Sequence, residues 1–358
     1  MHLDRRACQD YYCSQLQNSD SYFQGVSHQR GYGMFSNLFR MISPIAMKAG
    51  KYLGKHILST GSKVMSDVVR GRKLFRPSSY TSSFTSENNE KKNGSNIATP
   101  DVVAPVNYLL NTLFSECSIT LNDKQVSSQA NYAYRCMFDA LLSPKAVQES
   151  LLTAGLFFRD SPGKIDATEI LNAGEGFKTR YNICKDSKLM DMIGALHFDL
   201  GNQSKYLINS VNLRIKLERN KDAFALMSAS QDFKIVIQHA SLFVRKVKVA
   251  PSILIAHETA LSRGAIKMPL RRTEVKSFAL SSGMQSITIP NAFIGHVPAR
   301  LIMGMVSSTA HNGDFSNNPF NFKHYDLSYL CLLDGNRMIP SNPINRNSIP
   351  LTVIADVI

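Results

Sequence analysis

YLINSVNLRIKLERNKDAFALMSASQDFKIVIQHASLFVRKVKVAP, residues Tyr206 to Pro251, is the stretch that predicts the fold class. Apolar and polar residues alternate from Val211 to Glu218, the period of two of a strand with one buried and one solvated face. Two more strand-like runs follow, Phe233 to Gln238 and Leu242 to Val249. The segments between the runs are too short for a crossover helix, so we expect the strands to be antiparallel. The sequence therefore predicts a mainly β protein.

The length of 358 residues predicts about two domains with appendages. We place a first β domain at 101–250, a connector at 251–272 with a possible helical turn at His257 to Leu261, and a second, partial β domain at 273–358. The second domain is predicted from four strand-like runs, namely Glu274 to Leu280, Ser286 to Ile289, Arg300 to Val306 and Tyr329 to Leu333.

Local signals add detail to the first domain. A strand ending at Leu121 runs into Asn122-Asp123, which is a turn pair. Ser143-Pro144 predicts the start of a short helix that reaches about Thr153. Residues Asn172 to Leu189 fit a loop or a short helix, and Ile193 to Leu200 fits a strand.

The N-terminal third differs from the rest in composition and charge. Residues 1–30 are polar and aperiodic and are predicted to be a flexible leader, 31–76 a basic amphipathic arm, and the Ser/Thr/Asn-rich stretch 77–100 a disordered linker. The chain carries a formal charge of +14, concentrated where ten basic residues face a single acid, Asp67. Such a segment is attracted to DNA or to an acidic membrane surface, or it docks on its own domain. The ten residues are Arg30, Arg40, Lys48, Lys51, Lys55, Lys63, Arg70, Arg72, Lys73 and Arg76.

Apolar runs are far shorter than the roughly 20 residues that span a bilayer, so no transmembrane helix is expected. The N-terminus has no apolar region followed by a small-residue cleavage site, so secretion by the general route is not expected. The six cysteines are scattered without a CxxC pair, which indicates reduced thiols in an intracellular protein.

The sharpest enzymatic candidate is His197-Phe198-Asp199, an HxD pattern on a predicted strand. Alternation would place both polar side chains on one face, and His239 would complete the two-histidine, one-carboxylate iron site of a cupin-like oxygenase. A two-residue pattern also occurs by chance, and the simpler interpretation is ordinary polar residues of a strand. No GxSxG, phosphate loop or GxGxxG is present. We therefore predict neither an enzyme nor a cofactor, with no small-molecule substrate.

Other distinctive residues indicate architecture. The stretch Asn318 to Phe322 is predicted to bury its aromatic side chains in an otherwise polar loop, and Leu333-Asp334-Gly335 predicts a hairpin. Basic side chains on the strands are predicted to be solvated outer-face charges or contacts to neighbouring subunits; they are Arg214, Lys216, Arg245, Lys246 and Lys248.

Several stretches between Val106 and Pro343 resemble the capsid-like proteins of Polinton (Maverick) transposable elements and of adintovirus-like and adomavirus-like elements. The blocks around Asn212 to Leu261 and Asn318 to Pro340 are the most specific, and the basic segment Gly31 to Asp67 resembles the N-terminal region of the family. The matching stretches are LNDKQVSSQANYAYRCMFDALLS, LFFRDSPGKID, NLRIKLERNKDAFALMSA, FKIVIQHASLFVRKVKVAPSILIAHETAL, RTEVKSFAL and NPFNFKHYDLSYLCLLDGNRMIPSNP.

The resemblance implies a double jelly-roll major capsid protein, similar in architecture to adenovirus hexon: two antiparallel β-sandwiches side by side, forming trimers. It also implies a minor capsid protein as a partner, and a location in the virion, nucleus or cytoplasm. After Pro343 the family continues with further strands, whereas this sequence ends with INRNSIPLTVIADVI, so an incomplete second roll is expected. The alternatives are the oxygenase described above and a nucleic-acid-binding protein whose basic arm is oligomerised by the β domain.

Overall fold

A computed structural model describes residues 74–75, 81–97, 101–203, 205–230, 232–244, 246–284, 286–293, 298–345 and 353–356. All of these residues fall within one compact unit of the chain, Met65–Ile358. The strands are β1 Leu74–Phe75, β2 Thr81–Lys91, β3 Val103–Pro105, β4 Phe114–Leu121, β5 Lys124–Ala130, β6 Met190–Ala195, β7 Leu213–Arg219, β8 Leu226–Ser228, β9 Phe233–Phe243, β10 Lys246–Val247, β11 Arg300–Met303, β12 Tyr329–Asp334, β13 Arg337–Asn345 and β14 Val353–Asp356.

Seven α-helices and three 3₁₀ turns lie between the described strands. The helices are α1 Leu109–Thr112, α2 Tyr132–Leu142, α3 Lys145–Gln148, α4 Glu175–Cys184, α5 Asp222–Ala225, α6 Pro251–Arg263 and α7 Ser308–Asn312. The 3₁₀ turns are Leu152–Gly155, Lys185–Ser187 and Asp199–Asn202.

Every strand pair in the described part of the chain is antiparallel, which confirms the prediction of a β-rich, antiparallel protein. Two sheets have three strands, in the orders β5-β4-β7 and β6-β2-β9. The other sheets are the pairs β3-β8, β1-β10, β11-β14 and β12-β13, and none of the described sheets closes into a barrel.

The sheet β5-β4-β7 follows the local sequence signals closely. Asn122 and Asp123 connect β4 to β5 with φ values of 46° and 65°, the left-handed pair that a tight hairpin requires. Along β7 the apolar residues pack against the core, whereas Arg214 and Lys216 are exposed. Both the predicted turn and the predicted alternation are therefore confirmed.

The three runs between Tyr206 and Pro251 form antiparallel strands, but not with one another. β7 pairs with β4, β9 with β2 and β10 with β1. β9 is one continuous strand, Phe233–Phe243, where the sequence predicted a break after Gln238. The expectation that neighbouring runs pair is wrong because a period of two fixes which face is buried, not which strand lies alongside.

The strand β2 lies where the sequence predicted a disordered linker at 77–100. It occupies the centre of its sheet, with Phe84 opposite Met192 on β6 and opposite Ala240 on β9. A central strand satisfies its backbone donors and acceptors on both sides, whatever the polarity of its side chains. Composition alone therefore misses it, and the structure differs here from the prediction.

The helices before Pro251 are close to the predicted positions. α4 lies inside the stretch 172–189, for which a short helix was one alternative. The helix predicted from Pro144 is real but short, because α3 ends at Gln148 and a separate 3₁₀ turn follows. The Pro144 carbonyl accepts hydrogen bonds from the amides of Val147 and Gln148. The proline is therefore the N-cap residue and not the first residue of the helix.

The region after Pro251 departs most from the expectation. α6 occupies much of the predicted connector, and residues 264–293 contain no strand among those described, so the strands predicted at 274–280 and 286–289 are wrong. Farther on, β11 and β12 confirm two of the four predicted runs, and β12 turns into β13 through Gly335, whose φ is 58°. None of the described helices is long and apolar enough to cross a bilayer.

Candidate functional site

The polar cluster around His197 contains the residues that the sequence singled out. β6 ends at Ala195, so His197 lies in the irregular segment that follows it. Its Nδ1 is 2.9 Å from Asp139 Oδ2 on α2, and its Nε2 is 3.0 Å from the Tyr108 hydroxyl. A carboxylate accepts, so Nδ1–H donates to Asp139; in the neutral imidazole Nε2 then accepts from the Tyr108 hydroxyl.

The neighbouring aspartate belongs to a separate ion pair. Asp199 starts a 3₁₀ turn and lies 2.7 Å from Arg135 Nη1, with both side chains about 95% buried. Asp199 also accepts a hydrogen bond from the backbone of Thr273 at 3.3 Å. One carboxylate therefore joins α2 to the segment that follows α6.

The structure does not assemble the predicted iron site. His197 contacts Asp139 and Tyr108, Asp199 contacts Arg135, and His239 on β9 contacts the hydroxyl of Ser241. No group of three or more His, Cys, Asp and Glu side chains in the described ranges is arranged to hold a metal ion. The prediction of both polar side chains on one face of a strand is wrong, because the chain leaves the sheet before His197.

The Asp139–His197–Tyr108 chain resembles a proton relay in its order of groups, but its Tyr108 end is closed, whereas Asp139 at the other end is 41% exposed. The Tyr108 side chain is 1% exposed, and burial raises the pKa of its hydroxyl far above the usual value, so the group stays protonated. A substrate has no access to that hydroxyl. The geometry instead ties α2, the residue before α1 and the end of β6 into one unit.

A second buried network surrounds Arg180 on α4, whose side chain is 0% exposed. Its guanidinium donates to the Pro105 carbonyl (2.9 Å), the Phe158 carbonyl (3.0 Å) and Asp160 Oδ1 (2.8 Å). Asn107 completes the network by donating to the Phe158 carbonyl and accepting from the Phe158 amide. These bonds connect β3, α4 and the loop that follows the 3₁₀ turn Leu152–Gly155.

The aromatic loop after α7 is buried as predicted. Phe320 meets the rings of Tyr134 and Phe224, and Phe322 stacks on Phe138 at 5.1 Å. Asp166 accepts hydrogen bonds from the Asn318 amide and the Asn321 side chain, so the loop is fixed at its polar end as well. The loop is thereby packed onto α2.

The most unusual surface is the exposed segment, which we define as residues 251–293. None of its described residues is buried, and it carries a series of large apolar side chains that are at least one third exposed. Ile255 is 64% exposed on α6, a helix without a single buried residue. The whole series is Ile253, Ile255, Leu261, Ile266, Phe278, Leu280, Met284, Ile287 and Ile289.

The ten basic residues predicted to contact DNA or a membrane lie outside the described residues. The strand-borne charges Arg214, Lys216, Lys246 and Lys248 are exposed, which agrees with solvated outer-face positions, and Arg245 falls outside the described ranges.

Sequence reasoning missed the buried Arg135 and its pairing with Asp199. Arg135 sits within YAYRCMF and Asp199 within LHFDL, single charges inside apolar stretches. A lone charge in such a stretch is the available signal, since a buried charge needs a partner. The partner itself cannot be read from the sequence, because Arg135 and Asp199 are brought together only by the fold.

The buried thiols give a chemical prediction. Burial raises the pKa of Cys117 to about 12, although the nearby Arg135 opposes the change, and it raises the pKa of Cys184 to about 12 as well. Since the thiolate is the reactive form, alkylation of Cys117 by iodoacetamide at pH 8 is expected to be about a thousandfold slower in the folded chain than in urea. Peptide mass spectrometry measures this, and equal rates would contradict the burial.

The same pKa changes predict how stability depends on pH. A thiol whose folded pKa is raised stays neutral in the folded chain, while the unfolded thiol ionises above about pH 9. The stabilisation is therefore complete below pH 9 and is lost as the pH rises towards 12. Urea unfolding at pH 8 and pH 11 measures the loss, and it should be smaller in a Cys117→Ala variant; an unchanged loss would count against Cys117 as a source.

The chain is similar to an uncharacterized nematode protein. No family model matches the chain, and no solved structure matches it either. Among curated proteins, an uncharacterized protein of Caenorhabditis elegans is 28% identical over 276 residues, which cover 74% of this chain and 63% of that protein. The chain thus spans less than two thirds of this relative's length.

Proposed function

We propose that the chain is a structural, capsid-like subunit of the double jelly-roll type, related to the proteins of Polinton elements, and that it self-assembles. The observation that carries the proposal is the exposed segment 251–293. Monomeric proteins seldom expose many large apolar side chains in one region, and such regions mark surfaces that bind other proteins. Antiparallel sheets and the matching sequence stretches support a capsid type of assembly.

The buried polar networks are consistent with a structural role. Each network joins groups from distant parts of the chain, through Arg180, Arg135 and His197. The Tyr108 hydroxyl at one end of the His197 cluster is buried and is not accessible to a substrate. Their contacts position segments of the subunit. In this proposal the basic arm 31–76 faces DNA or an internal membrane, copies form trimers, and a minor capsid protein joins them.

The first test is the mass of the full chain as a function of concentration. We expect light scattering to show discrete trimers, and negative-stain images of the same sample to show particles of uniform size. A chain that stays monomeric at every accessible concentration would contradict the proposal. The arm is tested separately with the same preparation: retention on DNA should fall steeply as salt is raised, because phosphate contacts release counterions.

A further inference from the structure

Residues 274–284 and 286–293, within the exposed segment, form what we call the open hairpin. Ser281 and Met284 close its turn through a backbone hydrogen bond of 3.3 Å, and Gly283 has the positive φ (86°) that such a turn assigns to glycine. At the other end, Lys276 Nζ donates to the Ala292 carbonyl at 2.8 Å and lies 5.6 Å from the ring centre of Phe293. The two arms therefore run back alongside each other without forming a sheet.

The backbone of the open hairpin has few partners. In its described residues, the bond between Ser281 and Met284 is the one backbone-to-backbone hydrogen bond. Its sequence nevertheless contains two strand-like runs, at 274–280 and at 286–289, and the second of them alternates polar and apolar residues. A segment with strand-like sequence and open backbone groups is suited to pairing with a strand of another chain.

The chemistry of the open hairpin narrows the kind of partner. Its one cation, Lys276, donates to the Ala292 carbonyl and lies 3.7 Å from Glu274, and residues 277–293 contain no Asp, Glu, Lys, Arg or His. Little positive charge is therefore left to bind the phosphates of a nucleic acid. Unsatisfied backbone groups are costly in lipid, which disfavours burial in a membrane. Phe278 and Ile287, 47% and 45% exposed, are instead available to pack against an apolar surface. The edge strand of a protein sheet, where it carries little charge, offers both partners for the backbone groups and an apolar surface.

This chain carries such an edge. In the described structure β12 has a neighbour on one side only, β13. From Tyr329 to Leu333 the strand has no charged residue, and these two side chains are 50% and 57% exposed. Natural edge strands are usually protected by charges, as β7 is by Arg214 and Lys216. β12 lacks this protection along most of its length.

We infer that the open hairpin of one copy adds to the free edge of β12 in a second copy. The inference rests on the proposed self-assembly and identifies the surfaces that carry it. Because the two surfaces are different parts of the chain, the contact is heterologous, and repeating it closes a ring when the rotation between copies allows. The contact buries Phe278 and Leu333 and pairs the open backbone groups.

The experiment introduces a lysine into each of the two surfaces of the full-length chain. The variants are Phe278→Lys, Ile287→Lys and Leu333→Lys. Each is expected to raise the protein concentration at which half of the chains are assembled by at least about tenfold. The matched control is Leu171→Lys, at a side chain that is 93% exposed outside both surfaces, and it should assemble like the wild type. Far-UV circular dichroism spectra equal to that of the control show that the variants fold, because melting temperatures also depend on assembly. Wild-type-like assembly of Phe278→Lys and Ile287→Lys would overturn the inference.

Hydrogen exchange supplies an independent readout. Amides at 277–280, at 286–289 and in β12 should exchange slowly in the assembled wild type and fast in Phe278→Lys at the same concentration. Fast exchange at these amides in an assembled wild type would overturn the inference and leave the proposed self-assembly intact. A wild type that is monomeric at all concentrations would instead remove the proposed function, and its binding to neutral lipid vesicles would assign the open hairpin to a lipid surface.

Discussion

Replacing Arg180 by alanine is expected to lower the free energy of unfolding by about 4 kcal/mol, because it removes the fully buried partner of an ion pair whose other side chain, Asp160, is 12% exposed. The guanidinium is inaccessible to solvent and binds Asp160 and the carbonyls of Pro105 and Phe158. Without it, these acceptors remain in a site that excludes most water, and a cavity adds to the loss. Urea unfolding followed by circular dichroism measures the change.

The control for this prediction is Arg159→Ala, which removes an exposed arginine from the adjacent loop. Surface substitutions of this kind usually change stability by less than about 0.5 kcal/mol. If Arg180→Ala is no more destabilising than Arg159→Ala, the buried network does not hold β3, α4 and the loop together as described.

Replacing Asp199 by alanine is expected to cost about 3 kcal/mol, since it leaves the guanidinium of Arg135 buried with its closest counterion removed. Asp199→Asn keeps an oxygen that can accept from the Thr273 amide, so it should be less destabilising than alanine. Urea unfolding compares the two variants with the surface control Glu149→Ala, whose side chain is 65% exposed.

Hydrogen exchange of a single backbone amide tests the role of Asp199 directly. The Thr273 amide, which donates to Asp199, should exchange faster in Asp199→Ala, and less so in Asp199→Asn. An unchanged Thr273 amide in a destabilised Asp199→Ala variant would show that the carboxylate stabilises α2 without anchoring the exposed segment.

The sequence alone determined the features that depend on neighbouring residues. The turn at Asn122-Asp123, the alternation along β7, the hairpin at Gly335 and the burial of Phe320 were all predicted correctly. Each follows from the backbone preference or polarity of a few adjacent residues, which the folded chain has no reason to override.

The tertiary structure alone decided which distant segments meet. It paired β9 with β2 instead of a neighbouring run, placed β2 inside a predicted linker, and set Arg135 against Asp199 and His197 against Asp139. It also left the open hairpin without a partner strand in the described chain. Polarity with a period of two tells which face of a strand is buried. Its partner depends on contacts between residues far apart in the chain, which local sequence does not encode.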